Sequence, residues 1–160
     1  MSNEISELDR LIEQENGLIL PRFSAADAWR LGVTLHDKAY AQQAPIGISI
    51  FVGPTCLFSA LLPGATNDNQ EWIKRKAALA WRFQQSSYVI GLKFKAGDNL
   101  FERFGLDYRT YAAAGGAVPI KTQDSGMIGV VAVSGLPQLQ DHEMVIEALG
   151  ELQADMIGRS

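Results

Sequence analysis

His36 and His142 are the only imidazoles in the chain, and each sits where a neutral ring could bind a metal or move a proton. His36 falls at helical spacing with Trp29, Val33 and Tyr40. That apolar surround could hold a flat ligand. His36 is therefore a candidate to contact such a ligand. The alternative is a histidine at a core or subunit contact. His142 follows Asp141 near the expected start of the last helix, whose positive end disfavours imidazolium. A ring kept neutral there is a candidate base; its alternative is a capping or interface residue. Ser134 invites a nucleophile reading with Asp141 and His142, but the surrounding VSGL lacks the G-x-S-x-G elbow. One cysteine and two distant histidines fall short of the three or four ligands of a zinc site, so no metal is expected.

A second chemistry is anion binding. Backbone N–H groups around Ser134, Gly135 and the start of the last helix make a corner suited to a carboxylate or propionate. Asn69, Arg75 and Lys76 stand near the start of a third helix. Two cations there oppose the helix dipole and call for acidic partners or an anionic ligand. With Gly115, Gly116, Asp141 and His142, these residues form the candidate ligand-binding set. A tight strand-to-helix turn and an ion pair between subunits are the structural alternatives.

The elements that must position these groups are legible in outline. Gly126 to Gly135, GMIGVVAVSG, is apolar at nearly every position, which predicts a strand covered on both faces. Gly129 inside it marks a bulge or a close backbone approach. Asp141 is the expected N-cap of a closing helix with Val145, Ile146, Leu149, Leu152 and Met156 at helical spacing. Gln123 to Gly126 is a turn joining that strand to the segment after Gly115-Gly116.

Upstream, residues 3 to 15 read as a helix, and Leu18 to Leu20 as a short edge strand ended by Pro21. Ser24 caps a second helix, with Asp27 in the capping-box position, running to about Gln43. Ala28, Leu31, Leu35 and Ala39 make one apolar face; Trp29, Val33, His36 and Tyr40 make another, which must cover a loop, a neighbouring subunit or a ligand. Ile46 to Val52 and Cys56 to Leu62 form a hairpin with a loop longer than two residues. A third helix opens at Asn67 to Asn69, with Asp68 and Glu71 resembling a capping box and Trp72 and Trp81 expected in the core. Alternation in Ser87 to Lys95 fits either a strand or a loose helix, and it is read as a continuation of that helix because a short helix from Asp98 to Phe104 follows. Phe101, Phe104, Tyr108 and Tyr111 make an aromatic cluster that lines a pocket or a subunit contact. Hairpins plus helices without repeated βαβ units predict an α+β fold with an antiparallel sheet.

At 160 residues the chain is expected to form one domain, 1–160. A net charge of −4 argues against a nucleic-acid surface. The lone Cys56 suits a reducing compartment, and no run is long enough to span a membrane, so a cytoplasmic location is expected.

Three stretches together, GGAVPI, GMIGVVAVSGL and QDHE within residues 115 to 143, resemble the GlcG/HbpS-type haem-binding, or haem-degrading, family. LPGATNDNQEWIKRK (Leu62 to Lys76) and the pair Ser86-Ser87 are similar to its small uncharacterised-protein branch. The resemblance runs from about Leu31 to Ala148 and matches Asn69, Trp72, Arg75, Lys76, Gly115, Gly116, Pro119, Ser134, Gly135, Asp141 and His142. It implies a profilin-like α/β/α fold with a five-stranded antiparallel sheet, and homo-oligomers built from dimers. It also implies haem as a possible cofactor, since some relatives bind or degrade it; iron ligands differ among relatives, and none transfers. Haem needs only one or two axial groups from a protein, so under this resemblance His36, with its apolar surround, becomes the candidate haem ligand. Three functions remain open: a homo-oligomeric protein binding haem or a small anionic ligand, an enzyme on a small carbonyl or carboxylate compound with His142 as base, and an assembly or adaptor protein.

Overall fold

The computed structural model describes residues 3–94 and 99–158. Along the chain run α1 (Asn3–Asn16), β1 (Ile19–Leu20), α2 (Ala25–Ala41), β2 (Gly47–Val52), β3 (Thr55–Leu61), α3 (Asn67–Phe83), α4 (Ser87–Lys93), α5 (Leu100–Phe104), β4 (Ala117–Thr122), β5 (Gly126–Ser134) and α6 (Gln138–Gly158). The strands lie in the order β1-β4-β5-β2-β3, so β5 is the middle strand. Its composition explains the position. Val131 and Val133 enter the core beneath α2 and α6, while Val130 and Ala132 enter a second core beneath α3. A strand apolar on both faces is stable only where both are covered.

Gly129 is where β5 meets its neighbour most closely: a Cβ there would lie 2.0 Å from the Phe51 carbonyl oxygen. The β4–β5 register also slips beside it, between Ile120 and Lys121. Both outcomes anticipated for a strand glycine are present.

Helix α2 begins as its residue types dictate. Ser24 Oγ accepts from the Asp27 amide, and the Asp27 carboxylate accepts from the Ser24 N–H at 2.8 Å. Burial pushes the Asp27 carboxyl up, but the Ser24 amide and hydroxyl and the paired Arg30 together outweigh it and hold its pKa below the usual range. Ala28, Leu31, Leu35 and Ala39 are buried against the sheet and α6. The described residues leave the other face largely uncovered: Trp29 is 63% and Tyr40 64% exposed.

Several expectations are corrected. The sheet is mixed rather than antiparallel, because β1 runs parallel to β4 with Ile19 opposite Lys121. Two residues after a helix carry no hairpin signal that could name a partner, and fully buried Leu20 sets the side of the sheet they join. The β2–β3 turn is tight, with Val52 opposite Thr55 and only Gly53 and Pro54 between them. Thr66, not Asp68, caps α3, and the Asn69 carboxamide oxygen accepts from its N–H at 2.9 Å. Helix α3 ends at Gln84 in the left-handed region, so α4 is a separate helix capped by Ser86. Asn99 caps α5; Lys95 and Asp98 lie outside the described residues. Trp72 and Trp81 are exposed rather than packed in the core. The aromatic cluster instead forms a satellite core of Phe83, Phe94, Phe101, Phe104 and Tyr111 around Leu79, Ile90, Leu100 and Leu106. Tyr108 is exposed and stacks on Phe101. Among the described residues, no helix is long and apolar enough to cross a membrane.

Candidate functional site

Most of the candidate ligand-binding set does converge. A groove of about 290 Å³ at the ends of β4 and β5 is lined by Asn69, Trp72, Lys76, Gly115, Ser134, Gly135 and Asp141, among others. Its floor is an ionic knot. Lys76 and Asp141 are both buried. The Lys76 amine donates to the carbonyls of Gly115 at 2.9 Å and Val133 at 2.6 Å, and lies 3.5 Å from Asp141 Oδ2. Asp141 in turn accepts from the amides of Gly135 at 3.2 Å and Leu136 at 3.0 Å. Burial pushes the lysine down from its usual range and the carboxyl up, each partly offset by the other's charge.

This geometry revises two roles. Asp141 is not the N-cap of α6, which starts three residues earlier, at Gln138. Instead its carboxylate occupies the anion corner formed by the backbone after Ser134, so the cradle expected for a ligand is filled by the chain's own anion. Lys76 lies in mid-helix and joins the approach to β4 and the end of β5 to Asp141 of α6, rather than opposing the helix dipole at its start. Gly116 makes this possible: its φ is +133°, and a Cβ there would meet the Val133 oxygen at 2.4 Å and Lys76 Nζ at 2.6 Å. Arg75 points its guanidinium over the Trp72 ring at 4.1 Å, a cation–π contact on the outer side of α3.

His142 does not join the groove. It is fully buried, its ring stacks on Tyr88 at 5.1 Å, and neither ring nitrogen has a hydrogen-bond partner among the described residues. Its pKa is lowered to about 4 by burial, so the expected neutral ring is present, but desolvation rather than the helix end is the cause. No hydrogen bond links Ser134 to His142 among the described residues, and the chain of contacts a Ser-His pair needs is missing. The serine pair also has structural work: Ser86 caps α4 and donates its N–H to Glu15 Oε2, and Ser87 Oγ accepts from Ala117 N. Sequence reading did not single out Glu15, whose burial raises its pKa, because nothing local marks an acid near a helix end as internal.

His36 stands apart, on the outer face of α2. It is half exposed, stacks on Tyr40 at 6.0 Å between ring centres, and its Nδ1 faces Asp37 Oδ1 at 3.1 Å. Hollows flank it at either end of that face: one of about 420 Å³ includes Trp29 and Val33, and one of about 310 Å³ includes Tyr40, Leu62 and Pro63.

Comparison with known proteins places these features in context. The family model described as "Haem degrading protein HbpS-like" matches residues 23–150. A UPF0303 protein of Streptomyces avermitilis is 45% identical over 143 residues, covering 89% of this chain and 88% of its own. The crystal structure of Ybr137w protein superposes with a TM-score of 0.86 at 31% identity, covering 92% of this chain and 88% of that one. A PduOC–haem complex shares the fold, with a TM-score of 0.65 at 20% identity over 80% of this chain and 93% of its own.

Proposed function

Because the chain belongs to the HbpS-like haem-degrading family, we propose that it is a homo-oligomeric protein that binds a planar, partly anionic ligand of the haem type along the outer face of α2, where His36 would be the residue that holds the iron. The observation that carries this reading is the α2 face itself. It presents one half-exposed imidazole between Trp29 and Tyr40, both of which the described residues leave more than 60% exposed. The residues fit the group: Asp37 engages Nδ1 and leaves Nε2 for iron, the arrangement in which a carboxylate orients a ligating histidine. Trp29, Val33 and Tyr40 supply apolar wall on either side, and Lys38 and Arg30 are cations on the same helix, although each is already paired with carboxylates. Bound haem would supply a redox-active iron; the chain's own part is to hold one face of the ring, orient the imidazole and exclude water. A single helix face covers only one side of such a ligand, which is why the site requires a second subunit.

Support from the relatives is of two kinds: the family is described as haem-degrading, and the PduOC fold carries haem. The groove over Lys76 and Asp141 is the lesser candidate, since its anion position is taken by Asp141. The experiment is a haem titration followed at the Soret band. Saturable binding in the wild-type chain, weakened about tenfold or more in His36→Ala, is the expected result, equivalent to about 1.4 kcal/mol. Equal binding by the variant removes His36 as ligand, and no saturable shift in the wild type removes haem.

A further inference from the structure

We infer that two copies of the chain join edge to edge through β3, so that one antiparallel sheet runs through both; this rests on the homo-oligomer proposed above and names its interface. Strand β3 closes one edge of the sheet and is seven residues long, whereas the other edge, β1, has two. Natural proteins protect long edges with charges, prolines or a covering element, because an open row of N–H and C=O groups pairs with any strand that reaches it. The β3 sequence, TCLFSAL, contains no Asp, Glu, Lys, Arg or Pro.

The direction of its open groups follows from the register. Leu62 donates its N–H to Ile46 O at 3.0 Å, and Ile48 lies opposite Ala60 and Ile50 opposite Phe58. Antiparallel pairs alternate between bonded and non-bonded positions. Ala60 and Phe58 therefore turn inward to β2, and Ser59 and Leu61 turn their backbone groups outward. The Leu61 side chain is 44% exposed beside them. On the face covered by α2, Trp29 packs edge-on against Phe58 at 5.6 Å, and Tyr40 shares a hollow with Leu62 and Pro63 at the other end of the strand. The open backbone thus runs beside an apolar rim.

Charge and geometry name the occupant as a second copy. A chain of net charge −4 repels itself except where its surface is neutral, and this edge is such a place. The strand carries apolar or small residues on both sides of Phe58, so antiparallel self-pairing sets like against like in an isologous contact. Because α2 lies over β3, with Gly32 against the Phe58 ring, the same operation sets the outer α2 face of one copy toward that of the other. A strand from an unrelated protein would leave Trp29 and Tyr40 uncovered. The seam also gives the His36 face the second wall that a planar ligand needs.

The test combines solution mass with amide hydrogen exchange on the full chain. The expected result is an assembly built on dimers in which the Ser59 and Leu61 amides are protected. In the double variant Cys56→Lys, Leu61→Lys, both side chains being exposed, the mass falls to one chain at micromolar concentration. Those two amides then exchange about a hundredfold faster while the β5 amides do not change. An assembled wild type with fast Ser59 and Leu61 exchange overturns edge pairing and leaves the oligomer standing on another face. A monomeric wild type with both amides open overturns the two together. Should the variant unfold, wild-type exchange at Ser59 and Leu61 still decides the matter.

Discussion

Buried polar side chains in this protein divide by whether they have partners. Lys76 and Asp141 have theirs: two carbonyls for one, two amides for the other, and each other's charge. Among the described residues, neither ring nitrogen of His142 has a hydrogen-bond partner, and its ring stacks on Tyr88. Burial holds it near a pKa of about 4, below the ordinary 6.5 it regains on unfolding. A depressed folded pKa means that its contribution to stability is present above pH 6.5 and is lost as pH falls toward 4. The full linkage amounts to about 3 kcal/mol. His142→Phe keeps a ring against Tyr88 and removes the titration. Chemical denaturation at pH 7 and pH 4 should show the variant losing about 3 kcal/mol less than wild type over that interval; an equal loss would assign the acid sensitivity to other groups.

Among the secondary-structure elements, β5 does the most to organise the fold, and its weakest point to alteration is Gly129. The Phe51 carbonyl stands where a side chain would begin, and β2 and β5 pair on both sides of that contact, Phe51 with Val130 and Val52 with Gly129. Backbone cannot rotate away as a side-chain tip can. Gly129→Ala should therefore cost about 1–3 kcal/mol in a denaturant melt, with the β4–β5 bulge as the region that shifts. Loss of less than about 0.5 kcal/mol would mean that the strands separate freely there. Helix α2 is the opposite case. Its inner face and its Ser24–Asp27 cap settle where it lies, and its outer face is left for something else.

For the molecule as a whole, that outer face is the feature with the largest consequence. Two large aromatics more than 60% exposed on one helix, next to an uncharged sheet edge, are the surface on which the proposed association rests. Replacing both by serine, Trp29→Ser with Tyr40→Ser, should lower the solution mass at micromolar concentration and weaken haem binding together, because in the proposed arrangement one seam would serve both. Unchanged mass in sedimentation would place the association elsewhere. Trp29 meets Phe58 at the rim of the inner core, but both aromatics are more than 60% exposed and neither belongs to the buried cluster, so the far-ultraviolet circular dichroism of the variant should match that of the wild type.

Residue order alone determined much of this. Periodicity gave the double-faced α2, a run of apolar residues gave the central strand, and turn chemistry gave the β4–β5 pairing; these signals are local, spanning a few residues each. The groove residues also came together as a set, because the motifs that carry them sit at strand and helix ends that the fold gathers at one place. Tertiary structure decided the remainder. Whether β1 runs parallel to β4, whether Lys76 is internal and whether Asp141 answers the backbone or a ligand all depend on groups far apart in the chain, such as Lys76 and Val133. Desolvation, which sets the state of His142, is likewise a property of surroundings that no stretch of sequence contains.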